Sequence, residues 1–244
     1  GFIIPVGILL NFVLKGFAVI NFNEIFLTTF SSITLSFLAA ILVMIVSVLM
    51  IVVANYKANT TQRIIIFLAS CGYAFPGTIL AVGIVVFVGW LNDLIHFHIS
   101  YFVGGFMVLM SAYTIRFLAV GNGAIRSGVL RIHPNLMDAS RTMGVGFFTS
   151  LRKVIIPLIY TNILVGGILV FVDILKELPI TLLLRPFNFE TLATYVYQYA
   201  SDEMLEESSF AALIIIVAGL GPVILLSSTI KKISKQKESK LKSN

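Results

Sequence analysis

Residues 29–54 read TFSSITLSFLAAILVMIVSVLMIVVA and contain no charged side chain. A bilayer core about 30 Å thick is crossed by an α-helix of roughly 20 apolar residues. This stretch exceeds that length, and it lacks the polar face of a helix on a soluble protein. It therefore predicts a transmembrane helix, and the rest of the chain repeats the pattern.

The composition of the whole chain agrees with a membrane protein. Hydrophobic residues make up 58% of the 244 residues and charged residues 11%, whereas soluble domains carry about a quarter charged residues. The mean hydropathy is +1.01. Apolar stretches fall at residues 2–19, 29–54, 64–89, 99–120, 154–175 and 209–229. We expect an all-α, polytopic transmembrane bundle of six spans, the first of them truncated.

The basic residues are distributed unevenly between the loops, and Lys and Arg mark the cytoplasmic side of a membrane protein. They follow the second and fourth spans and fill the C-terminal tail: Lys57 and Arg63; Arg126, Arg131, Arg141, Arg152 and Lys153; six lysines from Lys231 to Lys242. The alternate loops are mainly acidic: Glu24, Asp93, Glu190, Asp202, Glu203, Glu206 and Glu207. We expect both termini in the cytoplasm. The net charge of +6 then reflects topology rather than nucleic-acid binding.

Shorter features predict local structure within the bundle. Pro76 and Pro222 are expected to kink the third and sixth spans. Residues 189–207 carry apolar side chains at helical spacing beside acidic residues, and are expected to lie along the outer membrane interface. The tail from residue 231 is expected to be disordered. Small residues are expected to allow close helix packing: Gly104, Gly105, Gly166 and Gly167.

Neither a resident metal nor a cofactor is expected. Cys71 is the single cysteine, so the sequence offers no disulfide framework and no cysteine metal cluster. His96 and His98 fall on an outer loop and His133 on the cytoplasmic side, so the histidines form no cluster.

The segment between the fourth and fifth spans, residues 121–153, is too long for an unstructured connection in a compact domain. Pro134 suits the first turn of a helix and Asp138 places a negative charge early in it. Gly144 can supply a sharp turn after that helix. A second helix is expected to begin near Phe147 and to continue through Pro157 into the fifth span.

This segment resembles the EAA loop of type I ABC importer permeases. That pattern is Glu-Ala-Ala, three residues, Gly, nine residues, Ile, one residue, Leu-Pro, and the departures here are conservative. The matching positions are Asp138, Ala139, Ser140, Gly144, Val154, Ile156 and Pro157. The resemblance divides the chain into residues 1–25, a truncated first span and outer loop; residues 26–230, the transmembrane domain; and residues 231–244, a basic cytoplasmic tail.

The resemblance implies that the short helix docks on a separate ATPase subunit, with Asp138, Ala139, Ser140, Arg141 and Thr142 as its contact face. Movement of that subunit would then reach the fifth span through Gly144 and Val154 to Pro157. The chain has no GxxxxGK phosphate loop, since GNGAIRSG is followed by Val129 and Leu130 rather than by the Lys and the Ser or Thr that such a loop needs. We therefore expect a transport permease rather than an enzyme, with no catalytic residues of its own.

Two more stretches resemble the ferric-iron branch of these permeases. They are YAFPGTILAVG at residues 73–83 and KELPITLLLRPFNFETLA at residues 176–193. The resemblance implies ferric iron as the cargo, and an extracytoplasmic binding protein, an ATPase dimer and a second permease half as partners in the inner membrane. Because members of that branch often fuse two such units, the chain is expected to be the C-terminal half of a fused permease.

The residues themselves give one candidate for the cargo path. Asp173 and Glu177 are expected on one helical face at the outer end of the fifth span, where carboxylates suit a hard cation. Ion pairing with Lys176 or Arg185 explains them equally well.

Other cargoes and other classes remain open on the sequence. Thiamine, phosphonate and polyamine permeases share the EAA loop. An ion-coupled secondary transporter would carry charges at mid-membrane, and the second, third and sixth spans have none in their centres. A membrane enzyme would need a nucleophile with a base, or a metal set, which the sequence does not display.

Overall fold

A computed structural model describes residues 1–18, 20–56, 60–95, 99–132 and 146–242. These residues form helices and no strand. The helices are α1 (Ile3–Gly16), α2 (Phe22–Tyr56), α3 (Thr60–Ser70), α4 (Gly77–Ile95), α5 (Ile99–Val129), α6 (Phe147–Ser150), α7 (Ile156–Leu175), α8 (Pro179–Leu184), α9 (Leu192–Ser201) and α10 (Leu205–Lys242).

Five helical segments are long and apolar enough to cross a membrane, which confirms the predicted all-α, polytopic fold. They are Phe22–Ala54, Gly77–Leu94, Gly105–Val129, Phe147–Leu175 and Leu205–Ile224. Helix α1 is apolar but has only 14 residues, fewer than a span needs.

The centre of the bundle is formed by α2, α5 and α7, which pack directly against one another. Their facing side chains are almost inaccessible, as for Val43, Leu109 and Ile159, each 0% exposed. Gly166 on α7 makes this packing possible, as the sequence predicts. A Cβ atom there would lie 2.7 Å from the Cβ of Ala124 on α5. Lipid gives helices no hydrophobic drive to associate, so close van der Waals packing supplies it instead.

A second buried cluster joins α1, the start of α2, α9 and α10, and it changes the prediction for residues 189–207. Helix α9 begins with a capping box in which the side chains of Thr191 and Thr194 bond each other's backbone N–H groups. Its apolar stripe does not form an exposed belt, because Leu192 is 0% and Tyr195 1% exposed. Both side chains pack within the protein, beside Ala211 of α10.

Pro76 led us to expect a kinked helix in the third span. The structure instead has two helices separated by a break. Helix α3 ends at Ser70, a 3-10 turn covers Cys71–Ala74, and α4 begins at Gly77. A residue that precedes proline is driven out of the α region, which ends the helix before Pro76. Helix α10, by contrast, continues through Pro222.

Two loop boundaries also differ from the prediction. Helix α5 continues to Val129, so residues 121–129 do not belong to a loop; Asn122 and Ile125 are buried against neighbouring helices. Helix α10 extends to Lys242, so the tail expected to be disordered is helical there. Lysine is a good helix former, and the preceding helix removes the cost of nucleation. The start of the second helix at Phe147 is confirmed.

The close contact at Gly166 leads to a test of the central packing. We expect Gly166→Leu to lower the stability of the folded protein by about 1–3 kcal/mol, the usual cost of overpacking a core. The measurement is the thermal unfolding midpoint in detergent. Gly83→Leu is the matched control, because nothing lies within 4 Å of a Cβ atom at Gly83. Equal midpoints for the two variants would contradict the packing described here.

Candidate functional site at the break in the third span

The break between α3 and α4 takes a backbone carbonyl group out of regular helix within the predicted span 64–89. Phe75 has an extended backbone with ψ of 139°, so the chain leaves the helical path there. Regular hydrogen bonding resumes when Leu80 N–H donates to Pro76 O at 3.1 Å. In hydrocarbon an unpaired carbonyl costs several kcal/mol, so a break of this kind needs a donor from elsewhere.

Arg116 on α5 supplies that donor. Its Nη1 atom donates to Phe75 O at 2.7 Å. The guanidinium carbon lies 6.0 Å from the ring centre of Tyr73 and 5.9 Å from that of Phe117, within cation–π range. The guanidinium thus lies beside two rings while bonding the break in the neighbouring span.

The charge on Arg116 is balanced by Glu177. Arg116 Nε lies 3.4 Å from Glu177 Oε2, and the two side chains are 19% and 9% exposed. This is an ion pair rather than an aligned hydrogen bond, because the Nε atom has no hydrogen-bond partner. Burying either charge alone would cost several kcal/mol, so each residue depends on the other.

Glu177 lies in the short connection between α7 and α8. Its N–H donates to Ile174 O at 2.9 Å, and its carboxylate Oε1 accepts from Ile180 N–H at 3.4 Å. The same oxygen would lie 2.9 Å from a Cβ atom at Gly77, so a larger residue at the start of α4 would displace this carboxylate. Through this contact, residues 176–193 meet residues 73–83, the two stretches that resemble ferric-iron permeases.

A buried hydroxyl chain fastens the same connection to α5. Thr181 Oγ1 donates to Glu177 O at 2.7 Å, and the Tyr113 hydroxyl lies 2.5 Å from Thr181 Oγ1. A threonine hydroxyl has a single proton, so Tyr113 is the donor in the second bond. Tyr113 is 1% and Thr181 0% exposed, so the connection is held without water.

Burial raises the pKa of Glu177 above the usual range of a carboxyl group. The guanidinium of Arg116 is the strongest opposing influence, followed by the Ile180 N–H group; Asp173 raises the pKa further and Lys176 lowers it. Desolvation disfavours the charged form and a nearby cation favours it, so Arg116 limits the rise in the pKa of Glu177 that burial causes.

The predicted cargo-path residues do not share a helical face. Helix α7 ends at Leu175, so Glu177 lies beyond it and points toward Arg116. Asp173 instead pairs with Lys176 at 2.9 Å. Arg185 pairs with Glu190 at 2.8 Å and is not the partner of Glu177. Ion pairing therefore accounts for both carboxylates, and a cargo role for them stays a prediction.

Part of the predicted coupling segment lies outside the described residues, namely Asp138, Ala139, Ser140, Arg141, Thr142 and Gly144. Val154, Ile156 and Pro157 are described, and they lie where the helix from Phe147 passes into α7. Residues Leu151–Ile155 form a π-helical turn, in which Ile156 N–H donates to Leu151 O. Pro157 has no N–H to donate and its ring crowds the preceding turn, which favours this wider turn.

Arg116 was missed by the sequence analysis, although a signal existed. It is the charged residue inside the apolar stretch 99–120. An ionisable side chain within a span is a functional candidate by default.

A polar cleft of about 750 Å³ lies between the start of α2 and the segment from Leu182 to Gln198. Glu24 and Glu190 contribute carboxylates to it, and Arg185 bonds both Glu190 and Thr194. At its edge Phe187 is fully exposed, and Asn188 adopts the left-handed conformation with φ of 59°. Within the described ranges, no group of three or more His, Cys, Asp or Glu side chains is placed to hold a metal ion.

Comparison with solved structures identifies the fold. The chain aligns with one in a bacterial alginate ABC transporter complexed with a periplasmic protein carrying an alginate pentasaccharide, with a TM-score of 0.69 and 16% identity, covering 90% of this chain and 83% of that chain. For an amino acid ABC transporter with histidines, the TM-score is 0.58 at 20% identity, covering 88% and 97%. At these identities the likeness shows the fold, that of an ABC transporter transmembrane domain.

Sequence comparison finds two curated relatives. An Fe(3+)-transport system permease protein of Haemophilus influenzae is 26% identical over 156 residues, 63% of this chain and 29% of the relative. A probable ABC transporter permease protein of Sinorhizobium fredii is 27% identical over 184 residues, 75% of this chain and 32% of the relative. The chain thus spans about a third of the length of either relative. No protein-family model matches it.

The buried pair leads to a test by pH. We expect Arg116→Met to lower the thermal midpoint, since removing one partner of a buried pair costs about 3 kcal/mol or more. The loss should grow as pH rises. Without Arg116 the pKa of Glu177 rises further above its unfolded value, so its contribution is present at low pH and is lost as pH rises through the folded-state pKa.

The measurement is the thermal midpoint of the purified protein from acid to neutral pH. Adding Glu177→Gln to Arg116→Met should remove the extra pH dependence, because no carboxyl group remains to titrate there. A pH dependence that persists in the double variant would show that another group is responsible.

Proposed function

We propose that this chain, which has the fold of an ABC transporter transmembrane domain, is the permease part of a type I ABC importer that moves ferric iron. Its named sequence relatives are permeases, one of them for Fe(3+) transport. The solved structures of similar fold belong to transporters named for other cargoes. The choice of iron therefore needs a more specific observation.

That support is the contact between the two stretches that resemble ferric-iron permeases. Residues 73–83 and 176–193 are far apart in the sequence, yet a Cβ atom at Gly77 would lie only 2.9 Å from Glu177 Oε1. Arg116 joins the same point from α5. If these two stretches lay apart in the fold, their resemblance to iron permeases would suggest a separate local role for each. Their meeting at one buried point supports a shared, branch-specific role.

Energy for transport is proposed to come from a separate ATPase dimer. Its contact on this chain would be the short helix carrying Asp138, Ala139, Ser140, Arg141 and Thr142, with Gly144 as the turn. The described helix runs without interruption from Phe147 through the π-helical turn to Leu175. A rigid helix of this length can carry a displacement from the ATPase contact to the connection that holds Glu177.

The opposite side of the membrane is proposed to receive the cargo from a binding protein. The charge distribution assigns residues 177–207 to the outside, and the polar cleft with its exposed Phe187 lies there. Both sequence relatives are about three times as long as their matched regions. This supports a second permease half, fused or separate, in the inner membrane beside this one.

The carboxylates near the outer end of α7 are proposed to guide iron rather than to retain it. Asp173 is 22% exposed and pairs with the flexible, 63% exposed Lys176, so a trivalent cation could displace that partner. Exposed pairs of this kind contribute little stability. Glu177 is held more firmly by Arg116, so its contribution requires the pair to open.

An ion-coupled secondary transporter is the competing class. Arg116 is a mid-span charge of the type such a protein needs, but it is already balanced by Glu177 and by Phe75 O. The similarity in fold to ABC transporters supports the importer instead.

Coupling is tested by disturbing the proposed ATPase contact. Asp138→Arg and Gly144→Pro should abolish iron uptake and cargo-stimulated ATP hydrolysis by the assembled transporter, while the amount of permease in the membrane stays normal. Asp93→Arg, the same charge reversal at an exposed site on the other side, is the control and should keep stimulated hydrolysis. Normal stimulation in both contact variants would exclude the coupling role.

Cargo is tested by radioactive ferric-iron uptake into vesicles that contain permease, ATPase and binding protein. We expect iron to accumulate, and thiamine, phosphonate and polyamine not to. Asp173→Asn with Glu177→Gln should lower uptake per folded permease. Asp173→Asn alone isolates the cargo effect, because it leaves the pair of Arg116 and Glu177 untouched.

Lys176→Gln is the control for loss of the ion pair without loss of a carboxylate, and it should not lower uptake. Uptake that is unchanged in all three variants would exclude a cargo role for the two carboxylates. Accumulation of thiamine or a phosphonate in place of iron would overturn the iron assignment.

A further inference from the structure

Arg116 lies within a membrane-spanning segment of the protein. It falls in the apolar segment Gly105–Val129 of α5, and its guanidinium meets Glu177 just beyond the end of α7. The break at Phe75 and Pro76 therefore lies beside that same end of α7. Breaks in spanning helices are tolerated where they are buried in protein or line a path through it.

The two sides of the Arg116 cluster differ in their place in the bundle. On one side α5 and α7 form a tightly packed pair, with Gly166 against Ala124 and with Asn162 Nδ2 donating to Ser127 Oγ at 2.9 Å. On the other side α4 is peripheral. Only 11% of its spanning segment is buried, against 22% for α7 and 44% for α2 and for α5. The cluster thus joins the packed core to a helix at the edge of the bundle.

The joint between them is suited to movement. Phe75 and Pro76 lie outside regular helix, and hinge motions are absorbed by a few residues at the ends of elements. Arg116 bridges this joint by its bond to Phe75 O, and Glu177 orients and balances the guanidinium from the core side. A purely stabilising contact would not need charges, since apolar side chains of similar size often stabilise a buried site better.

We propose that Arg116 is a releasable clasp, a positioning residue that closes the transport path by holding the Phe75–Pro76 break against the core. Glu177 keeps the clasp in place. When α7 is displaced by the ATPase, Arg116 releases Phe75 O and α4 swings away from α5. The proposal rests on the proposed transport function, but the state of the clasp can be measured without knowledge of the cargo.

The chain carries its own reporter for this measurement. Cys71 is the single cysteine and begins the 3-10 turn that leads into the break. It is partly buried, with Sγ donating to Phe67 O at 3.3 Å. Movement at the break should change its access to N-ethylmaleimide, so the rate of its modification reports whether the clasp is closed.

The first experiment uses the permease in vesicles without cargo. Arg116→Met should raise the rate of Cys71 modification several-fold. Glu177→Gln, which keeps the bond to Phe75 O but removes the balancing charge, should raise it less; this milder variant serves if Arg116→Met does not fold. Arg185→Met breaks the separate pair with Glu190 and should leave the rate unchanged. Rates equal to wild type in folded Arg116→Met and Glu177→Gln would overturn the clasp.

The second experiment distinguishes a releasable clasp from a permanent strut. In the assembled transporter, ATP should raise the rate of Cys71 modification in the wild type. In Arg116→Met the rate should be high with or without ATP, and ATP hydrolysis without cargo should rise. A wild-type rate that ignores ATP while uptake proceeds would show that Arg116 is a fixed strut. If the cargo is not ferric iron, the iron-uptake result fails, but the expected rates of Cys71 modification do not change.

Discussion

In the hydrocarbon core of a membrane, a backbone carbonyl that leaves its helix must find a donor within the protein. Phe75 O is such a carbonyl, because Pro76 ends the preceding helical path. Arg116 provides the donor, and its buried charge then requires an anion, which is Glu177. The position of Glu177 in turn requires α7 to end at Leu175 and α8 to follow at once. One broken helix thus accounts for the arrangement of four elements.

Helix α7 has a different connection at each of its two ends. At one end the π-helical turn, widened beside Pro157, connects it to the segment that resembles an ATPase contact. At the other end the chain turns into the connection that carries Glu177. Between them the helix packs against α5 through Gly166, so it can move only together with its close neighbours. Under the proposed function, a displacement at one end would therefore reach the Arg116 cluster at the other.

The segment that follows Glu177 is built on a different principle. Helix α9 buries Leu192 and Tyr195 against α10 rather than exposing them to the interface. That burial fixes the loop before it, in which Arg185 bonds both Glu190 and Thr194. The exposed Phe187 is consequently presented from a constrained loop. A surface of this kind meets a partner without first having to be ordered.

The sequence by itself determined the class of fold, because long apolar stretches such as residues 29–54 are stable only as membrane helices. It also indicated the helix that begins at Phe147, since the glycines at 144 and 146 separate it from what precedes. The candidate site was only half predicted. Glu177 was found from its place near a span end, but its partner was assigned to Lys176 or Arg185, which are close in sequence.

Only the tertiary structure decided that Arg116 is that partner, because the pairing joins positions from different spans and depends on the break at Pro76. The local sequence pattern likewise predicted a kinked helix at Pro76, where the structure has two helices. It predicted a loop after residue 120, where α5 continues to Val129. In both places the outcome is set by neighbouring helices: Arg116 makes the break tolerable, and close packing keeps the end of α5 helical. Periodicity and hydropathy report what one segment can do, whereas these contacts depend on which segments become neighbours.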